Sequence, residues 1–159
     1  MITTVKMMRL PVVVVLAVAL STAARADDAY LQSSCSLDFP EAMAHLQDSI
    51  HHAGYRVSRI QHVDKGLIDR GYETDKYKVV FFGKPDQLAQ VVGSYPALIP
   101  FVPLNITIAR EADSTSVSAL APRQYGALGL PAEAAGLIAR WEQDVEAIVR
   151  RYASCQVGA

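Results

Sequence analysis

The chain has 159 residues, 15 of them basic and 16 acidic, for a formal net charge of −1 with histidine neutral. That length fits one ordinary domain with a core of its own. A near-neutral chain without a Lys/Arg cluster lacks the counterion-release drive of a nucleic-acid binder, so that class is set aside.

In "MITTVKMMRLPVVVVLAVALSTAARADDAY", Lys6 and Arg9 precede an apolar run from Leu10 to Leu20, too short to cross a bilayer as a helix. Small residues then lead to Ala24-Arg25-Ala26, an A-x-A cleavage box. Residues 1–26 are expected to be a cleaved secretory signal peptide and 27–159 a single domain; an uncleaved anchor or a buried first helix is the alternative. Cleavage removes Lys6, Arg9 and Arg25 and no acid, leaving a mildly acidic periplasmic or secreted protein with no membrane segment. Cys35 and Cys155 both survive in a compartment that permits disulfides. A bridge from the first strand to the last helix is favoured, with free thiols or an intermolecular pair as the alternative.

"SSCSLDF" suits a short first strand and runs into "DFPEAMAHLQDSIHHAG". There Asp38 and Glu41 have capping-box spacing, Pro40 fits a first turn, and Gly54 suits the position after the last turn. Phe39, Met43, Leu46, Ile50 and Ala53 recur every three or four residues and form one apolar stripe of a helix. On the same helix Glu41, His45, Asp48 and His52 share another face. Two imidazoles and two carboxylates are ligands for a divalent metal such as zinc or copper. A solvated helix face shows the same spacing, and His45 and His52 stand about 10 Å apart along the axis.

"YRVSRIQHV" alternates imperfectly and is read as a strand in which Tyr55, Val57, Arg59, Gln61 and Val63 face one way. A polar stretch with one helical turn near Leu67 and Ile68 follows, then "YKVVFFG", expected to be a central strand buried on nearly both faces. This strand stops at Gly83-Lys84-Pro85, where a glycine admits close backbone approach, a cation stands at the sheet edge, and a new helix exposes its first N–H groups. The corner suits an anion or polar ligand, or is simply a tight turn from strand to helix.

"DQLAQVVGSYP" makes a short helix ending by Gly93 or Ser94. "SYPALIPFVPL" carries three prolines, too many for a regular element and too apolar for a solvated loop, so it must cover apolar surface. "LNITIAR" and "STSVSALA" flank a short polar turn as a hairpin. From Pro131 a long helix carries Ala134, Ile138, Trp141, Val145, Ile148 and Tyr152 on one face, with Glu146 and Arg150 spaced for an ion pair on the other. Ser94 lacks the second glycine of a nucleophile elbow, and no base or orienting acid marks it.

The order is strand, helix, strand, strand, hairpin, helix. It predicts an α+β two-layer domain whose antiparallel sheet carries both long helices on one face. Over residues 37 to 130, "GYRVSRIQHVD", "GLIDRG", "KVVFFGKP", "ALIPFVPL", "NITIARE" and "SALAP" together resemble, in that order, the family catalogued as domain of unknown function 302. The resemblance implies a TBP-like fold of strand, helix, four strands and helix, and no established reaction. His62 matches the family's D-H, Phe82-Gly83-Lys84-Pro85 its F-G-N-P, and Val102-Pro103-Leu104 its L-P-L. Gln61 stands where the family tends to have an acid, and Lys84 where it tends to have Asn.

The sequence therefore favours non-catalytic binding of a small molecule or a protein partner over covalent chemistry. His62, Lys84, Tyr95 and Phe101 are the candidate ligand-binding residues. Glu41, His45, Asp48 and His52 are the candidate metal ligands of a metal carrier or metal-dependent enzyme, and no other cofactor is called for. A homodimer contact through the Pro-rich loop is a third role.

Overall fold

The computed structural model describes residues 29–155 apart from 73 and 75, so the expected signal segment lies outside the described residues. Five strands form one antiparallel sheet in the order β1-β5-β4-β3-β2: β1 Tyr30–Cys35, β2 Arg56–His62, β3 Tyr77–Gly83, β4 Leu104–Glu111 and β5 Ser114–Leu120. The helices are α1 Phe39–His52, α2 Val63–Ile68, α3 Pro85–Ser94 and α4 Ala135–Ala153. Short 3-10 segments occupy Pro96–Phe101, Pro122–Leu128 and Ala132–Ala134.

Alternation along β4 and β5 sends Ile106, Ile108, Val117 and Ala119 into the core and leaves Asn105, Thr107, Ser116 and Ser118 on the other face. The core closes against α1 through Phe39, Met43, Leu46 and Ile50, and against α4 through Leu137, Trp141, Val145, Ile148 and Tyr152. Each such side chain contributes about 1.5–3 kcal/mol by leaving water, so the two helix stripes are the main reason the layers stay together. The helical period and the hairpin, with Glu111 paired to Ser114, agree with the sequence reading.

Buried and part-buried hydroxyls tie α4 and the chain before α1 to the sheet. Tyr152 donates to the Thr115 carbonyl at 2.9 Å, Thr115 donates to the Leu37 carbonyl at 3.1 Å, and Ser33 donates to the Val149 carbonyl at 3.0 Å. Cys35 and Cys155 form a disulfide with a Cα separation of 6.0 Å, tying β1 to the chain just past α4.

Four local expectations are corrected. Asp38 precedes α1 but makes no capping hydrogen bond; its carboxylate is 3.4 Å from Arg110 instead. The register of β2 shifts between Val57 and Arg59, so Val57 and Ile60 turn to the core side opposite Phe82 and Val80 while Arg59 and Gln61 face away. A bulge inverts simple alternation in this way. β4, rather than β3, is the middle strand, and β3 buries Val80 and Phe82 completely but Val79 and Phe81 only in part. Finally, α4 is preceded by a 3-10 turn at Ala132–Ala134.

Candidate functional site

Two places on this scaffold hold chemistry. The first is the Gly83-Lys84-Pro85 corner. A Cβ on Gly83 would lie 2.9 Å from Leu88 Cδ1, so the leucine tip packs over the glycine where β3 passes into α3. Lys84 then points inward: its Nζ is 2.9 Å from Asp144 Oδ2 on α4 and 4.2 Å from the centre of the Tyr55 ring. The Tyr55 hydroxyl donates to the same Oδ2 at 2.7 Å. Burial, followed by the hydrogen bond to Asp144 and its charge, holds the Tyr55 phenol well above its usual pKa. Gln87 Oε1 accepts from Trp141 Nε1 at 2.9 Å, joining α3 to α4.

The free space at this corner is about 10 Å³, bounded by Tyr55, Gly83, Gln87, Leu88, Pro103 and Trp141. That is room for one water at most. In this structure the Lys84 ammonium is paired with Asp144, and the F-G-K-P and V-P-L segments meet to close the end of the sheet.

The other three residues of the expected ligand set do not converge on Lys84. His62 pairs in register with Lys78, whereas Gly83 pairs with Arg56, so His62 is exposed about 17 Å along the strand from the corner. Tyr95 is half-buried against the core beside the 3-10 segment. Phe101 stacks on Tyr125 at 4.4 Å, Tyr125 meets Trp141 edge to face at 6.4 Å, and Leu98 is fully buried. The Pro-rich segment thus plugs the core, while Ile99 stays exposed.

The four candidate metal ligands of α1 are placed as follows. His45 Nε2 lies 3.3 Å from the Arg151 carbonyl and its ring packs 5.8 Å from that of Tyr152, while Glu41 and His52 are exposed. Asp48 accepts from Arg151 at 3.0 Å, and this hydrogen bond holds its carboxyl below the usual range. Among the described residues no group of three His, Cys, Asp or Glu side chains is placed to hold a metal.

The second place was not expected from the sequence. Between the Pro122–Leu128 segment and α4 runs a groove of about 490 Å³ whose apolar wall is Leu130, Pro131, Ala132, Ala135, Ile138 and Ala139. Arg123, Glu142, Gln143 and Glu146 supply its polar lining. Arg123 is ion-paired to Glu142, and its backbone N–H donates to Glu142 Oε2 at 2.8 Å. Beyond Arg123 and Glu146 a second groove of about 470 Å³ continues between β1 and α4, past Tyr30, Gln32, Ser33 and Arg150. The small residues of "LPAEAAGLIA" were the available signal, since alanines on a helix face leave room where larger side chains would fill it.

A two-layer α+β domain with five antiparallel strands and a closed F-G-K-P corner defines the class. The family model for "Domain of unknown function DUF302" matches residues 31–150, and the chain belongs to that family. The crystal structure of an uncharacterized conserved DUF302 protein from Bacillus stearothermophilus is similar, with a TM-score of 0.71 and 17% identity over 77% of this chain and 97% of that one. No curated protein matches the chain.

Proposed function

We propose that this protein is exported and binds a small molecule without transforming it, the apolar part of the ligand lying in the groove between residues 122–135 and α4. The observation that carries the reading is the groove itself: about 490 Å³ of space with an apolar wall and a few polar lining groups. Those are the dimensions and chemistry of small-molecule sites, which run from about 300 to 1,000 Å³. Export is supported by the basic, apolar and A-x-A order of residues 1–26 and by the Cys35–Cys155 bridge, a feature of oxidising compartments.

The test is titration with the neutral apolar fluorophore N-phenyl-1-naphthylamine. The native protein is expected to enhance its fluorescence saturably. Ala139 is exposed and lines the groove, so Ala139→Trp fills the space without disturbing the core. That variant is expected to lose the enhancement with its melting temperature unchanged. Equal dye binding by both proteins would sink the reading.

A further inference from the structure

The two grooves along α4 share Arg123 and Glu146, so they adjoin and make one trough along the helix, bordered at the join by those side chains. From Ala135 to Ala153 it follows about 27 Å of helix at 1.5 Å per residue. Its character changes along that length. The first part is walled by Ala132, Ala135, Ile138 and Ala139, whereas the second mixes Leu31, Val149 and Ala153 with Gln32, Ser33 and Arg150.

Charge in the trough is ordered as well. Arg123 and Glu142 neutralise each other as an ion pair. Glu146 and Arg150 do not: among the described residues they form no ion pair, although their spacing allows one on a helix. Glu146 lines both grooves, and Arg150, one turn further on, lines the second groove and not the first, and also borders a pocket beside Asp144 and Ser154. Going outward from the apolar end, a ligand therefore meets a carboxylate first and a guanidinium second.

We propose that the trough takes a zwitterionic amphiphile: an apolar body in the first groove, a cationic group against Glu146, and an anionic group beyond it against Arg150. The inference rests on the binding reading above and adds the headgroup. It fixes charge order as well as charge. An amphiphile with its cation next to the chain and its anion outermost matches the trough, and the reversed order sets like charges against each other at both positions.

The experiment is displacement of N-phenyl-1-naphthylamine from the full mature protein by two amphiphiles of equal chain length, each below its micelle concentration. Lauryl carboxybetaine carries the cation next to the chain; lauryl phosphocholine carries the anion there. The carboxybetaine is expected to displace the dye at concentrations about tenfold lower, the equivalent of one retained charge contact. Glu146→Gln and Arg150→Gln are each expected to erase that preference, read within each variant as the ratio of the two displacement midpoints, with the melting temperature unchanged.

Equal displacement by both amphiphiles, or a preference that survives both substitutions, overturns the headgroup assignment and leaves the groove as an apolar site. Failure of the dye to bind at all overturns both readings.

Discussion

The ammonium of Lys84 lies 2.9 Å from Oδ2 of Asp144, 60 residues further along the chain, and shares that oxygen with the Tyr55 hydroxyl. One carboxylate on α4 thereby receives both the residue that opens α3 and the residue that follows α1. The pair is part-buried, with side-chain exposures of 23% and 31%, so solvent screens it incompletely. Lys84→Ala would leave Asp144 with the tyrosine alone and is expected to cost about 1–2 kcal/mol, a charged hydrogen bond discounted for that exposure. Urea denaturation measures it. Adding Asp144→Ala should then cost less than it does in the native background, with a coupling of about 1 kcal/mol; strict additivity would show that the two side chains do not interact.

Trp141 reports on the same corner, because it is the only tryptophan in the chain and its Nε1 donates to Gln87. Gln87→Leu removes the acceptor and leaves a buried N–H unpaired, a cost of about 1–3 kcal/mol. The fluorescence maximum of Trp141 should remain that of a buried indole while the urea midpoint falls. A red-shifted maximum would show instead that the tryptophan has been exposed.

The disulfide closes a loop with a sequence separation of 120, so it restricts nearly the whole described chain when unfolded. Replacing Cys35 and Cys155 together with alanine is expected to lower stability by up to about 5 kcal/mol on the chain-entropy account. Unfolding of the native protein with and without reductant is the measurement. Coincident curves would show that the bridge adds nothing.

What was legible in the sequence was what depends on short-range period. The stripe from Phe39 to Ile50, the stripe from Ala134 to Tyr152 and the turn between Glu111 and Ser114 are set within a few residues of themselves. The bulge near Ser58 was not, because a one-residue slip inverts alternation and only pairing with β3 reveals it. The role of Lys84 was hidden for a related reason. A lysine after a strand looks like a free cation until the fold brings Asp144 beside it. The contacts of His45 and Asp48 with Arg151, more than 100 residues away, were hidden in the same way. The groove was hidden because it is made by small residues on two segments, and small residues carry little signal of what they fail to fill.

Alkaline pH tests the buried phenols. Burial raises the pKa of Tyr55, raises that of Tyr125, and pushes that of Tyr152 up to about 12; Asp144 adds to the rise at Tyr55 and Glu142 to that at Tyr125. In the unfolded chain these groups ionise near 10. Below that pH both states hold the proton and the contribution to stability is complete. As pH rises above 10 the unfolded chain ionises first, so stability falls progressively until the folded phenols also titrate. The melting temperature should therefore drop steeply above pH 10, and the drop should be shallower in Tyr55→Phe, which has no phenol to ionise. Absorbance at the tyrosinate band should show fewer than the 7 tyrosines of the chain ionising before the fold is lost. Ionisation of all of them near pH 10 with the fold intact would place the Tyr55 and Tyr152 hydroxyls in contact with water, contrary to their hydrogen bonds to Asp144 and the Thr115 carbonyl.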